Sequence, residues 1–531
     1  MALFFRHLRI GSILVSRVYL GSNRGQNKPI SVAEYLFTRL HQLGVRSVHG
    51  VPGDFNLPAL DYLPKANLAW VGNVNELNAG YAADGYARIK GIAALVTTCG
   101  VGELSAANAM AGAYAERVPI VHVVGYPSTR AQQRAAILHH TLGTGNFDVF
   151  RTMNASISCQ ATELEQPQAI ARQIDKALSQ CWINSQPVYL ALPVDRTHSQ
   201  VEGYRLHTPL DLNEAPNDAA AEEDAIAAIL AQIYEAKRPA ILVDVCAVRF
   251  RVLDDVLRMA DIAEIPVFVT PMAKAAVDET SPRYRGVYAG QASHASIRDE
   301  LESSDLILSI GALECDLNTG GFSHRLPTEK VICFHSTHTQ LGHEIFSEVR
   351  MKGLLRTLNE RLDETQLARK YTQPEEECSL HDVTDTLPRP DTITHAWLWP
   401  RIGTFLRSGD IVVSDTGVSA FGIWDTAFPT AVTALTQLLW ASIGWSVGAA
   451  QGAALAARDS GHGRRTVLFV GDGALQLAAQ ELSTIVRHNL NVTIFCICNE
   501  GYTAERLLHH AGASYNDITL WKHKELLTAV S

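Results

Sequence analysis

Short apolar runs alternate with longer amphipathic segments from Ile30 to the end of the chain. That is the pattern of strands joined by crossover helices in parallel sheets. Runs at residues 48–51, 68–71, 93–97, 119–124 and 187–192 read as strands. Ser31, with Glu34 three residues on, makes a capping box for a helix that Gly44 ends. A second group of runs, at 240–245, 266–269, 306–310 and 331–334, follows an alanine-rich helix over 222–235. A third group, at 410–414, 467–470 and 491–498, follows a helix near Ile393 and encloses an amphipathic helix over 475–489. Polar stretches at about 200–222 and 373–390 read as linkers. The expectation is an α/β chain of three doubly wound parallel-sheet domains, at 29–205, 222–366 and 390–531. The first and third share a plan of strand, glycine loop and small-residue helix, which predicts related structures.

Composition narrows the class. A chain of 531 residues exceeds one core, and 47% hydrophobic with 19% charged residues is a globular balance. A net charge of −10, with no basic block in the body, excludes nucleic acid or an anionic membrane as the main partner. No apolar run reaches transmembrane length. The nine cysteines are odd in number and scattered. Cys496 and Cys498 are closer than usual zinc spacing, so they read as buried thiols of a reducing, cytoplasmic protein. Residues 1–28 differ: Arg6, Arg9, Arg17, Arg24 and Lys28 stand among apolar residues with no acid. They fit a mitochondrial targeting segment, against the alternatives of a disordered tail or a misassigned start.

Candidate chemistry gathers at strand ends. Gly471-Asp472-Gly473 follows one strand and Asn499-Glu500-Gly501 the next, with 25 residues between Gly473 and Asn499. Oxygens of Asp472, Asn499 and a carbonyl at Gly501 suit a hard octahedral cation that also holds phosphate. The helix start after Gly473 offers N–H groups to the same phosphate. In the first domain, Asp54 lies in a loop after a strand, and Glu76 enters a helix of small residues whose apolar neighbours point to a buried functional acid. His139 and His140 are adjacent; on a strand they would point oppositely, whereas a loop lets both face one cavity. In the middle domain Gly311-Ala312 follows a strand without a G-x-G-x-x-G fingerprint, so no nucleotide is expected there.

The Asp472–Asn499 spacing is similar to the signature of thiamine-diphosphate enzymes. With Gly50-Val51-Pro52-Gly53-Asp54-Phe55-Asn56, the stretch 72–88 around Glu76, the His139-His140 pair and Arg285-Gly286, the chain resembles the pyruvate decarboxylases, fungal type above all, with their indolepyruvate and other 2-oxo acid decarboxylase relatives. The resemblance runs from about residue 30 to the end. It implies a pyrimidine-binding, a central and a diphosphate-binding domain. It also implies thiamine diphosphate and Mg2+ bound between two subunits of a homodimer or homotetramer. The implied reaction is decarboxylation of a small 2-oxo acid, pyruvate to acetaldehyde and CO2, through an ylid and an enamine. By the same resemblance Glu76 meets the aminopyrimidine, while Asp54, His139, His140 and Glu505 handle protons. Asp472, Asn499 and Gly501 hold the metal. Thr416, Val418, Ala441, Ile443, Gly473 and Ala474 line the cofactor, Ile443 propping its bent shape, and Trp440 limits the substrate pocket.

Departures accompany the likeness. Ala474 stands for a serine, Val418 for a threonine, Ala441 for a glycine and Asp415 for a glutamate. Arg117 stands where a regulatory histidine would accompany Cys246. Family chains run further than Ser531, so the last domain is read as shortened. The alternatives are therefore a decarboxylase of longer or aromatic 2-oxo acids and a catalytically impaired homologue acting through assembly.

Overall fold

The computed structural model describes residues 28–367 and 391–530. Residues 1–27 of the basic extension, and the second linker at 373–390, lie outside the described residues. The chain is α/β, as its periodicity predicts. The first sheet has six parallel strands in the order Ala69–Trp70, Ser47–Gly50, Ala93–Thr98, Ile120–Tyr126, Val188–Pro193 and Gln160–Glu163. The second runs Tyr284–Val287, Val267–Val269, Pro239–Val243, Leu306–Ile310 and Val331–Phe334 in parallel. It closes with the antiparallel pair Thr339–Leu341 and Glu344–Phe346, which the apolar pattern does not announce. The third has four parallel strands, Thr433–Leu435, Ile411–Ser414, Thr466–Gly471 and Val492–Ile497.

Ser31 caps the helix Val32–Gln42, and its hydroxyl accepts the Glu34 N–H. The helix expected over 475–489 is broken instead. It begins at Asp472, runs to Ala478, turns through Ala479–Glu481 and resumes over Leu482–Arg487. Asp472 is thus the first helical residue and not a loop residue before the helix.

Two small-residue helices join the first and third domains. Glu76–Lys90 packs against Trp445–Asp459, which is buried over most of its length. Backbones meet here: a Cβ on Gly452 would stand 1.8 Å from the Ala82 carbonyl oxygen, and one on Gly85 would stand 2.1 Å from that of Ala449. At the ends of this crossing Tyr86 donates to Asp459, while Arg88 is buried against Asp84 and Glu116 and lies over the Trp445 ring.

Candidate active site

The strand Thr466–Gly471 delivers Asp472, 2% exposed. Its Oδ1 accepts the Gly473 N–H at 2.9 Å, and its Oδ2 accepts those of Glu500 at 2.9 Å and Gly501 at 3.3 Å. One carboxylate therefore binds both glycine loops together. Asn499 is half-buried, and its side-chain amide has no hydrogen bond among the described residues. The loop reverses through Glu500 and Gly501, with φ of 65° and 119°. Gly501 needs its missing side chain, since a Cβ would stand 2.4 Å from the Asn516 carbonyl. Its own carbonyl accepts the Thr503 N–H at 2.9 Å and, more weakly, the Thr503 hydroxyl at 3.5 Å. Asp472, the free Asn499 amide and the Gly501 carbonyl are hard oxygen donors of the kind Mg2+ takes together with phosphate oxygens and water. The anion-binding helix start expected after Gly473 is reduced, because the Gly473 N–H already serves Asp472. Ala474 turns its side chain into the hydrophobic core.

Asp415, 1% exposed, closes the neighbouring loop. It accepts from Gly444 N and from Ser446 N and Oγ, and burial pushes its carboxyl up to about 6. Thr416 donates its hydroxyl to the Gln437 carbonyl, and Val418 starts the helix Val418–Gly422. Ala441 takes a left-handed φ of 52°, which costs a non-glycine residue roughly 1–2 kcal/mol. Its neighbour Ser442 hydrogen-bonds Tyr81 at 2.7 Å. Ile443 packs against the core beneath that crossing. The Trp440 indole donates to Asn108 at 2.8 Å, and its ring lies where a Cβ on Gly112 would touch it.

The first-domain residues assemble around the start of the helix Val101–Ala115. Glu76 begins its own helix, with Oε1 against Gly102. It is half-buried, not enclosed as the apolar neighbours suggested, and its carboxylate has no hydrogen bond among the described residues. His139 and His140 lie in a loop and both face Asp54. His139 Nε2 is 2.7 Å and His140 Nε2 4.0 Å from the carboxylate. Phe55 stacks on His139 at 5.1 Å, and the His140 carbonyl closes on Gly100. These three side chains can share protons among themselves and with solvent.

Glu505 is exposed on the helix Thr503–Leu508, directly after the Gly501 turn. Among the described residues no hydrogen bond, ion pair or ring contact joins the Asp54–Glu76–His139–His140 group to the Asp472–Asn499–Glu505 group. The two groups stand apart on this chain. Sequence reasoning missed what positions them. Fully buried Glu481 accepts from Asn73 at 2.7 Å, and Arg487 and His488 reach the Val71 carbonyl. The third domain thus holds the turn that leads into Glu76. Fully buried Glu103 accepts from Gly100 N, Asn154 and Tyr189 beneath the histidine loop. Burial pushes both carboxyls up to about 7.

With this geometry in place, family comparison gives the class. Residues 30–148 match the N-terminal TPP binding domain of thiamine pyrophosphate enzymes, residues 226–362 their central domain and residues 415–523 their C-terminal TPP binding domain. Among curated proteins the chain is 53% identical over 510 residues to a pyruvate decarboxylase of Aspergillus fumigatus, covering 96% of this chain and 88% of that one. It is 53% identical over 506 residues to the Aspergillus terreus pyruvate decarboxylase, covering 94% and 87%. It is 45% identical over 499 residues to pyruvate decarboxylase isozyme 2 of Saccharomyces cerevisiae, covering 94% and 88%. The chain belongs to the pyruvate decarboxylase family of thiamine pyrophosphate enzymes.

Proposed function

We propose that this chain catalyses non-oxidative decarboxylation of a 2-oxo acid, converting pyruvate and one proton to acetaldehyde and CO2, with thiamine diphosphate and Mg2+. The observation that carries the reading is the pairing of an uncommitted Glu76 carboxylate with the Asp54–His139–His140 cluster around one helix start. Thiamine diphosphate, when bound, supplies the sink for the electron pair left as the bond to the carboxylate carbon breaks. Asp472, Asn499 and Gly501 would hold Mg2+, and Gly473 and Ala474 would stand beside the phosphates. Thr416, Val418, Ala441 and Ile443 would line the ring-binding side.

Glu76 would hold a proton shared with a ring nitrogen of the bound group. Asp54 fixes the His139 imidazole through Nε2, and the histidines deliver the proton that replaces CO2. Glu505 completes the set from the third domain. The separation of the Glu76 and Asp472 groups on one chain supports a homodimer or homotetramer with each site built from two subunits. Trp440, pinned by Asn108, narrows the pocket to short 2-oxo acids.

Glu76→Gln keeps the size of the side chain but removes its proton exchange. It should lower kcat on pyruvate by about 10²–10⁴-fold, with circular dichroism and melting temperature unchanged. Near-normal turnover would remove Glu76 from the reaction.

A further inference from the structure

Cys496 and Cys498 are two positions apart at the end of the strand Val492–Ile497. That spacing puts both thiols on one side of the strand. Cys498 is exposed and Cys496 partly so, not buried as the sequence suggests. The third ligand comes from elsewhere in the chain, so the short spacing between the two cysteines is no obstacle. Cys498 Sγ lies 3.6 Å from Cys496 Sγ and 3.6 Å from Nδ1 of His523, the first residue of the helix His523–Val530. All three ligand atoms lie within 4.8 Å of one another. Around a tetrahedral Zn2+, with Zn–S of about 2.3 Å and Zn–N of about 2.05 Å, two sulfurs stand about 3.8 Å apart and a sulfur and a nitrogen about 3.6 Å apart. The two distances from Cys498 Sγ are nearly those spacings before any ion enters. A disulfide suits it less, since alternate residues of an extended strand separate their Cα atoms by about 6.6 Å, near the limit of a disulfide's span.

We propose that Cys496, Cys498 and His523 form a second metal site, for a thiophilic divalent cation and specifically Zn2+, apart from the oxygen-lined Asp472–Asn499–Gly501 site. Ligand chemistry separates the two sites. Thiolate and imidazole select Zn2+, whereas carboxylate, amide and carbonyl oxygens select Mg2+. Three protein ligands leave one tetrahedral position open, on the solvent side where Cys498 is exposed. Binding forms two metal–sulfur bonds and one metal–nitrogen bond, and releases the two thiol protons to solvent without oxidation. Cys498 adjoins Asn499 in the chain. A bound ion therefore fastens the strand end that carries this magnesium ligand to the helix His523–Val530. The competing account is a hydrogen-bonded thiol pair, in which Cys498 donates to the Cys496 carbonyl at 3.7 Å or to His523.

Co2+ serves as the probe, on the reduced full-length chain, freed of other metals and then saturated with thiamine diphosphate and Mg2+ so that the oxygen-lined site is filled. The expected result is one Co2+ per chain with thiolate-to-metal charge transfer and intense visible bands of tetrahedral Co2+, both abolished by added Zn2+. The Asp54–His139–His140 cluster contains no sulfur and cannot give that charge transfer. Cys498→Ser and His523→Gln should each weaken Co2+ binding by at least about tenfold, while Cys333→Ser leaves it unchanged. Absence of charge transfer in the unsubstituted protein would overturn the site. So would Co2+ affinity unchanged in both variants. If a variant fails to fold, the spectrum of the unsubstituted protein decides sulfur ligation by itself.

Discussion

Glu103 sits below the histidine loop with no exposure to solvent, and burial pushes its carboxyl from 4.5 up to about 7. Glu481 does the same beneath the turn to Glu76. Below about pH 4.5 each is neutral in the folded and unfolded chain alike, and between there and about 7 only the unfolded chain ionises. Their contribution to stability is therefore fully present at low pH and lost as pH rises through about 7. The melting temperature of the cofactor-free chain should fall between pH 5 and pH 8, and Glu103→Gln should flatten that slope. An unchanged slope would show that Glu103 does not titrate there. At this scale the candidate site residues were legible, because Asp472, Asn499, Glu76 and the histidine pair stand in local motifs. Their supports were not. Glu481 meets Asn73 across 408 residues of chain, a pairing no local pattern contains. The exposure of Glu76 was misjudged for a related reason, since apolar neighbours along a helix do not say what covers its first residue.

Elements were legible where they are long and apolar. The strands Ile120–Tyr126, Leu306–Ile310 and Thr466–Gly471 announce themselves. Gln160–Glu163 is polar and partly exposed, and Tyr284–Val287 carries Arg285 and Gly286, so neither shows a strand pattern. The helix after Asp472 breaks at Ala478, with φ −136°, although alanine favours helix. The Glu481 contacts to Asn73 and Val74 fall immediately after the break. Packing between Glu76–Lys90 and Trp445–Asp459 explains the small residues that the sequence displays without a reason. Gly452→Ala should destabilise the chain by about 1–3 kcal/mol through overpacking, read as a lower urea midpoint with an unchanged slope. A neutral result would mean that the helices separate at little cost.

At the scale of the whole molecule, the Glu76 group and the Asp472 group are joined through packed helices and not through contacts of their own. If partner chains complete each other's sites, mixing inactive Glu76→Gln chains with inactive Asp472→Asn chains should restore up to about a quarter of the activity. No recovery after subunit exchange would place both halves of a site on one chain. Three α/β units were legible from periodicity alone. That first- and third-domain helices pack together was not, because surface complementarity between distant segments leaves no periodic trace. Thiamine diphosphate with Mg2+ should raise the melting temperature by binding only the folded state, and Asp472→Asn should remove that shift.

The central claim, that this chain removes CO2 from pyruvate with thiamine diphosphate, is tested most directly by measuring acetaldehyde and CO2 released from pyruvate with and without the two cofactors. The account predicts equal amounts of both products, formed with thiamine diphosphate and Mg2+ and abolished by a chelator or by Glu76→Gln. Cofactor-saturated protein that releases no acetaldehyde at any pyruvate concentration would contradict it.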